Sequence, residues 1–422
     1  MKKKFRRLQK VRTVKGTKDL FGKEISLHNL IIDKFERICK SLNFKQIATP
    51  ILENIEIFTK SLGLSSDIVS KEMYNFVDQG NDNLVLRPEG TAAIARAVIT
   101  NSLEQSVNKF FYHGPMFRRE RPQSGRLRQF HQVGLEYIGA ENYLSDIEVI
   151  LLAEKFLNEL KIRHKLNLEI NTLGNEKSRN TYNLSLKKFL EKNLTNLSEI
   201  SRERVKKNPL RVLDSKDKND QDIIRDAPDI IDFLDEESKA FFDNLIRGLD
   251  ELKINYKINR FLVRGLDYYN HTAFEYITSD NKSQNTVLAG GRYNGLVKSL
   301  GGSDLTGVGW AAGIERIEMQ LESITEKEGH NICIFSTSNC LDLEVLKTIN
   351  SIKLNNSLNI NFINKGNLKK KLSKANQIGA IGCIIFGETE WESKKVIWKD
   401  LNSGKQELVK FDYLNKFLNK VI

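Results

Sequence analysis

The sequence predicts an α+β chain of two folded units, the larger interrupted by a helical insertion. Three observations carry this expectation. Residues 109–140 read as two strands joined by a polar, arginine-rich loop, the pattern of a long antiparallel hairpin. The segment from about 176 to 253 is highly charged and mostly helical, with strands resuming after it. From residue 331 onward strands alternate with helices, the pattern of a compact α/β module.

Residues 25–42 open the folded chain with Leu30, Ile31, Phe35, Ile38 and Leu42 at helical spacing. An extended segment then runs to Pro50, since proline disfavours helix in the residue before it. Residues 84–87 read as a strand and Pro88-Glu89-Gly90-Thr91 as a turn into a helix. Glu89 and Thr91 therefore stand at a strand-to-helix junction, where side chains can point into a cleft. The hairpin strands are 109–120 and 129–139, with the loop 121–128 between them. A helix at about 144–160 precedes the insertion, and strands return at 258–264 and 273–278. Glycine-rich turns bracket 288–302, and a strand then a helix at 308–321 close the first unit, 1–325. A shift in composition places a linker at 326–330, and the module spans 331–422.

Length, composition and charge narrow the function classes. A chain of 422 residues suggests two or three domains and can bury a large core without disulfides or metals. Hydrophobic content of 40% with 28% charged residues excludes global disorder. Sixty-six Lys+Arg against 54 Asp+Glu give +12, which points to a polyanionic partner, nucleic acid ahead of an acidic membrane. The module from 331 holds 14 Lys, no Arg and 8 Asp+Glu. The four cysteines show no CxxC spacing, which argues against structural zinc and fits a reducing cytosol. No apolar stretch approaches the ~18 residues of a membrane span. The basic start MKKKFRRLQK is followed by no apolar segment, so a secretory signal is not expected and the expected location is cytoplasmic.

The candidate chemistry begins in the hairpin, where Arg118, Arg119, Arg121, Arg126 and Arg128 lie close together. Arginine is permanently charged and grips phosphate oxygens with a planar fork. Residues two apart in a strand share a face, so Arg126, Arg128 and Phe130 can line one side, with Gln132 and Glu136 continuing the parity. That pattern suits a nucleotide better than it suits a solvated loop. His131 faces the other way and reads as structural. Arg264 ends an apolar run and is followed by Gly265, Leu266, Asp267, Tyr268 and Tyr269. It serves either carboxylate or phosphate binding or an Arg–Asp structural pair. Glu89 and Thr91 read either as ligands for an ammonium group or as a helix cap. The glycine-rich stretches match neither the dinucleotide fingerprint nor the P-loop, and read as sites of close backbone approach. Arg316 follows them at a helix start and can reach the same cleft, or pair with Glu315 or Glu318.

Taken together these segments resemble the class II aminoacyl-tRNA synthetases, and among them the histidyl-tRNA synthetase family. The hairpin GPMFRRERPQSGRLRQFHQVGLEY is similar to that family's motif 2, GWAAGIERI to motif 3, and the segment ending at Pro50 to motif 1. LRPEGT and LVRGLDYYNHTAFEY resemble its two histidine signatures. NPLRVLDSK and DAPDIIDFLDEES resemble its insertion, and the segments from GNLKKKLSKANQIGA to the end its anticodon-binding domain. The resemblance runs from about Lys15 to the C-terminus, with the motifs in family order.

The resemblance implies a catalytic domain built on an antiparallel sheet flanked by helices, a homodimer formed through motif 1, and a two-step reaction. The histidine carboxylate attacks ATP to give histidyl-adenylate, and tRNA-His then takes the histidyl group. It implies Arg264 and Arg118 at the reacting α-phosphate, with Arg264 also on the substrate carboxylate. Arg126, Arg128 and Arg316 would hold the outer phosphates with Mg²⁺, Phe130 would stack on adenine, and Glu120 would accept from its amino group. Glu136, Tyr268 and Tyr269 would read the imidazole, and Glu89, Thr91 and Gln132 the amino and carboxylate end. Gln123 would approach the tRNA acceptor end. Trp391 has two readings, a platform for an anticodon base or a core residue. No zinc, organic cofactor, protein-held metal or membrane contact is expected. Arg119 stands where many members carry His, and Ser124 where many carry Lys or Arg. Both bear on the extra 5′ guanosine typical of tRNA-His. Two alternatives share the fold: a non-catalytic regulatory subunit of ATP phosphoribosyltransferase, and an RNA-binding module without chemistry.

Overall fold

The two strands of the arginine-rich hairpin lie second and third in a sheet of eight. The computed structural model describes residues 11–63, 66–279, 286–322, 330–352 and 358–421. The basic start of the chain, and residues 326–329 of the expected linker, lie outside the described residues. The chain divides into two units, 1–322 and 323–422.

The first unit contains strands β1 (Lys45–Gln46), β2 (Leu52–Asn54), β3 (Tyr74–Val77), β4 (Asn83–Leu86), β5 (Asn108–Phe117), β6 (Gln129–Ile138), β7 (Leu166–Thr172), β8 (Lys257–Ile258), β9 (Asn270–Thr278), β10 (Thr286–Arg292) and β11 (Gly307–Gly313). Eight of them form one sheet in the order β1-β5-β6-β11-β10-β9-β7-β8. The six central strands pair antiparallel, while the two short edges, β1 on β5 and β8 on β7, pair parallel. The sheet is thus mixed, antiparallel where it carries the candidate residues. Strands β2, β4 and β3 form a small antiparallel sheet, of which the sequence reading found only β4.

One face of the large sheet is packed with helices. On β6, Val133 and Leu135 join the helices Lys23–Ser41 and Tyr143–Glu159 in one core with Phe35, Phe156 and Trp310. Trp310 stacks on Phe156 at 6.1 Å and donates its indole N–H to the Val149 carbonyl at 2.8 Å, so its polar atom is satisfied in the dry interior. The fully buried Arg292–Asp146 pair ties β10 to the same helix. Arg292 also donates to the carbonyls of Ala140 at 2.5 Å and Asn142 at 2.9 Å. Its charge therefore stays hydrogen-bonded, as a buried cation requires.

The insertion between β7 and β8 is helical, as its charge pattern predicts. Its helices Glu176–Lys192, Glu199–Lys207, Lys218–Ile224 and Glu236–Glu251 each begin on a polar cap: Asn175, Ser198, Asp217 and Asp235 accept from backbone N–H groups of the first turn. The strand expected at 258–264 does not form beyond β8. The Asn259 side chain accepts from the Phe261 N–H at 3.0 Å and turns the chain before Leu262, so the apolar run packs without joining the ladder.

The second unit carries β12 (His330–Ser336), β13 (Leu358–Phe362), β14 (Gly382–Phe386), β15 (Lys395–Asp400) and β16 (Gln406–Lys410) in the order β13-β12-β14-β15-β16. The first three are parallel and the last two antiparallel. Trp391 packs against Phe386 and Phe411, each 5.2 Å away, which favours its core reading over the base-platform one.

Candidate active site

The open face of the large sheet has a floor of small residues. On β6 the residues Phe130, Gln132, Gly134 and Glu136 share this face. Across the ladder, Gln132 pairs with Gly313, Gly134 with Ala311, and Glu136 with Gly309. On the next strand Ala289 pairs with Ala311 and Gly291 with Gly309. The glycine-rich signal therefore marks a floor that leaves room above it. A side chain at Gly134 would meet the Tyr112 ring at 2.5 Å, and one at Gly309 would meet the Glu136 carboxylate at 2.0 Å.

Above this floor lies a cavity of about 690 Å³. Eleven of the singled-out residues line it: Glu89, Thr91, Arg118, Glu120, Arg126, Phe130, Gln132, Arg264, Tyr268, Tyr269 and Arg316. Three separate segments deliver the four arginines among them, the hairpin (Arg118 and Arg126), the stretch after β8 (Arg264) and the helix after β11 (Arg316), so the cations meet only in the folded chain.

Each cation is held in a defined stance. Arg118 donates its Nε–H to the Pro88 carbonyl at 2.9 Å, and its guanidinium lies 5.3 Å from the centre of the Phe130 ring. Arg126 pairs with Glu120 at 2.7 Å. Arg264 pairs with Glu275 and lies 5.2 Å over Tyr269, while its Nε finds no hydrogen-bond partner among the described residues. Arg316 donates to the Thr286 carbonyl at 2.5 Å. The Gln132 side-chain oxygen and the Tyr112 hydroxyl are likewise buried without a partner among the described residues. Buried polar atoms without partners are costly, and facing a cavity they mark places where a polar ligand is gripped.

The two buried carboxylates that bond to Thr91 behave differently. Glu89 accepts from the N–H groups of Thr91 at 2.7 Å and Ala92 at 2.8 Å, so it caps the helix Thr91–Thr100 while lining the cavity. Burial pushes its pKa up, against the pull of those N–H groups. Glu136 is hydrogen-bonded to Thr91 at 2.7 Å and to Tyr293 at 2.6 Å. Burial pushes its pKa up to about 8.

Three expected site residues fall elsewhere. Glu136 is sealed beneath Thr91 and is not on the cavity wall. Arg128 does not share a face with Arg126 and Phe130. Residue 126 lies in the turn that Gln123 and Arg126 close, before β6 begins at Gln129, so strand parity does not reach it. Arg128 instead donates to the backbone carbonyls of Glu120 at 3.2 Å and Lys15 at 3.4 Å. Gln123 is exposed at the hairpin tip, off the cavity.

Sequence reasoning also missed residues that build the site. Glu275 is the one carboxylate of its strand, set between Phe274 and Tyr276, and that is the available signal. It pairs with Arg264 and accepts from the Thr286 hydroxyl at 2.8 Å. Tyr112 and Tyr293 had no signal beyond being aromatic. From the insertion, Ser198, Ile200, Arg204 and Arg211 reach the cavity wall. Arg211 pairs with Asp267 at 3.1 Å, so the expected Arg–Asp pair uses Arg211 rather than Arg264.

The family model for histidyl-tRNA synthetase matches residues 16–317, and the model for an anticodon binding domain matches 353–421. The chain is 44% identical over 410 residues to a histidine–tRNA ligase of Rhodospirillum rubrum, covering 97% of this chain and 99% of the relative. It is similar to the apo crystal structure of S. aureus histidyl-tRNA synthetase, with TM-score 0.79 and 31% identity, covering 97% and 99% of the two chains. It shares a fold with a Bacillus halodurans ATP phosphoribosyltransferase regulatory subunit/histidyl-tRNA synthetase, at TM-score 0.64 and 20% identity, covering 89% and 98%.

Proposed function

The chain belongs to the histidyl-tRNA synthetase family, and from that premise we propose how its residues join L-histidine to tRNA-His. The activity is ATP-dependent ligation: ATP, L-histidine and tRNA-His give AMP, diphosphate and histidyl-tRNA-His. The convergence of Arg118, Arg126, Arg264 and Arg316 on one cavity is the observation that carries the residue assignments.

In the first step a histidine carboxylate oxygen attacks the α-phosphate, and the bond to the β,γ-diphosphate breaks. Negative charge builds on the α-phosphate oxygens, and cations fixed beforehand lower that barrier most. Arg264 and Arg118 take this role, because neither has to reorganise: one is braced by Glu275 and the other by the Pro88 carbonyl. The carboxylate is already a competent nucleophile, so positioning supplies the rest. Arg126 and Arg316 hold the outer phosphates. Arg128 contributes indirectly, by fixing the backbone at Glu120. Phe130 stacks on adenine, and Glu120 accepts from its amino group.

Glu72 on the cavity wall is a hard oxygen donor of the kind Mg²⁺ uses together with substrate phosphates, and it would hold that ion alongside them. When bound, the ion neutralises phosphate charge. Zinc and organic cofactors have no part in this reading.

For histidine, Tyr269 donates to one ring nitrogen with Tyr268 alongside. Glu136 accepts from the other once the Thr91 hydroxyl gives way. Glu89, Thr91 and Gln132 hold the amino and carboxylate end. In the second step a 3′-terminal hydroxyl of the tRNA attacks the acyl carbon and AMP leaves. Gln123, exposed at the hairpin tip, meets the acceptor end, and residues 331–422 take the anticodon stem-loop.

The chain works as a homodimer in the cytoplasm, and no described helix is long and apolar enough to cross a membrane. The regulatory-subunit alternative is disfavoured by the anticodon-domain match and by the intact cavity arginines. Aminoacylation of tRNA-His with labelled histidine tests the assignments. Arg118→Ala and Arg264→Ala should each slow charging at the activation step by roughly a thousandfold, yet accept pre-formed histidyl-adenylate for transfer. Normal activation by either variant would remove that arginine from the mechanism.

A further inference from the structure

Where the packed face of the sheet meets the cavity, four ionisable side chains gather: His28, His131, Glu315 and Glu318, and of these four Glu315 lines the cavity wall. His28 comes from the helix Lys23–Ser41, His131 from β6, and both glutamates from the helix Ile314–Glu318. The ladder between β6 and β11 ends at the pair Gln132–Gly313. One residue further along β6, the His131 N–H goes to the Glu315 carboxylate, with both oxygens 3.0 Å away. The His131 ring adds a second bond, Nδ1 to Glu315 at 2.9 Å. His28 then packs edge-on against the His131 ring, 4.6 Å between centroids at 83°. The Glu315 side chain thus continues the ladder past the point where β11 turns into its helix. It fixes the angle at which that helix leaves the sheet.

We propose that Glu315 is a positioning residue for ATP, acting through His131 and Arg316. His131 stands between Phe130 and Gln132, both on the cavity wall, and Glu315 stands beside Arg316. Clamping Glu315 to His131 sets the guanidinium that holds the outer phosphates against the ring that stacks on the base. A charge-assisted bond to a backbone N–H holds such a distance better than packing alone, because it is directional. Arg316 has its own second support, the Thr286 carbonyl, so the helix is held from both sides. This inference rests on the reading of Arg316 and Phe130 as ATP ligands.

The test is histidine-dependent ATP–diphosphate exchange with Glu315→Ala, Glu315→Gln, Arg316→Ala and the double variant Glu315→Ala/Arg316→Ala. Glu315→Ala should raise the KM for ATP between about tenfold and a hundredfold, the scale of a misplaced binding group. The KM for histidine should move less than about threefold. Glu315→Gln keeps an acceptor for the N–H and should stay within about threefold of the parent protein. The double variant should be no worse toward ATP than Arg316→Ala by more than about threefold, since both act through one group. Should Glu315→Ala fail to fold, His131→Phe removes the ring bond while keeping the backbone one, and should raise the ATP KM by roughly threefold to tenfold. Equal rises in both KM values, an unchanged ATP KM, or fully additive losses would overturn the proposal. An unchanged ATP KM in Arg316→Ala overturns the underlying reading as well. A raised value there with a normal one in Glu315→Ala and His131→Phe overturns the positioning role alone.

Discussion

Substituting Glu136 by glutamine should flatten the dependence of stability on pH. Glu136 is buried, with Thr91 and Tyr293 as its only hydrogen-bond partners among the described residues. No cation pairs with it, so burial dominates and raises its pKa from 4.5 to about 8. Between those values the folded protein holds a proton that the unfolded chain has released. Stability from this group is therefore full below about pH 4.5 and is lost as pH rises through about 8. At about 1.4 kcal/mol per pH unit, the gap sets a ceiling of about 5 kcal/mol. Glutamine mimics the neutral acid and keeps both partners. Thermal unfolding without ligands, from pH 5 to 8.5, should show the parent protein losing Tm with rising pH. The Glu136→Gln protein should lose markedly less. Parallel profiles for the two proteins would refute the reasoning, because every other titrating group is common to both.

Three other expectations follow from the same geometry. Arg264→Ala should slow adenylate formation by roughly a thousandfold, the scale of losing a preorganised charge at a transition state. Its affinity for tRNA, measured by filter binding, should stay near that of the parent, and a matching loss of both would point to misfolding instead. Gly309→Ala should destabilise the fold by several °C in Tm, since its methyl would meet the Glu136 carboxylate at 2.0 Å and the Leu135 carbonyl at 2.4 Å. An unchanged Tm would mean that β6 and β11 can part at no cost. With a net charge of +12, tRNA affinity should fall steeply as salt rises from 50 to 200 mM, by a factor of about ten or more. A flat response would deny phosphate contacts their part in binding.

What could be read from the sequence was what has a local period or a distinctive side chain. The long helices and the hairpin strands follow from apolar spacing, and the arginines stand out by type as candidates for binding an anion. Glu89 and Thr91 were legible because a turn-to-helix junction is a local event. What could not be read depends on partners distant in sequence. Arg128 was misplaced because parity holds only within a strand, and β6 begins one residue after it. Glu136 has the right parity but is shut off by Thr91, 45 residues away in the chain. The 258–264 segment reads as a strand because Phe261, Leu262 and Val263 form an apolar run, yet the Asn259 side chain turns the chain first. The glycines of β10 and β11 signalled close approach without saying to what. Only the ladder register shows them as the floor of the cavity.

The measurement that bears most directly on the account is amino-acid-dependent ATP–diphosphate exchange, run separately with each of the twenty amino acids. Exchange is expected with histidine alone. Folded protein that exchanges with none of them, or that activates another amino acid as well as histidine, would contradict it.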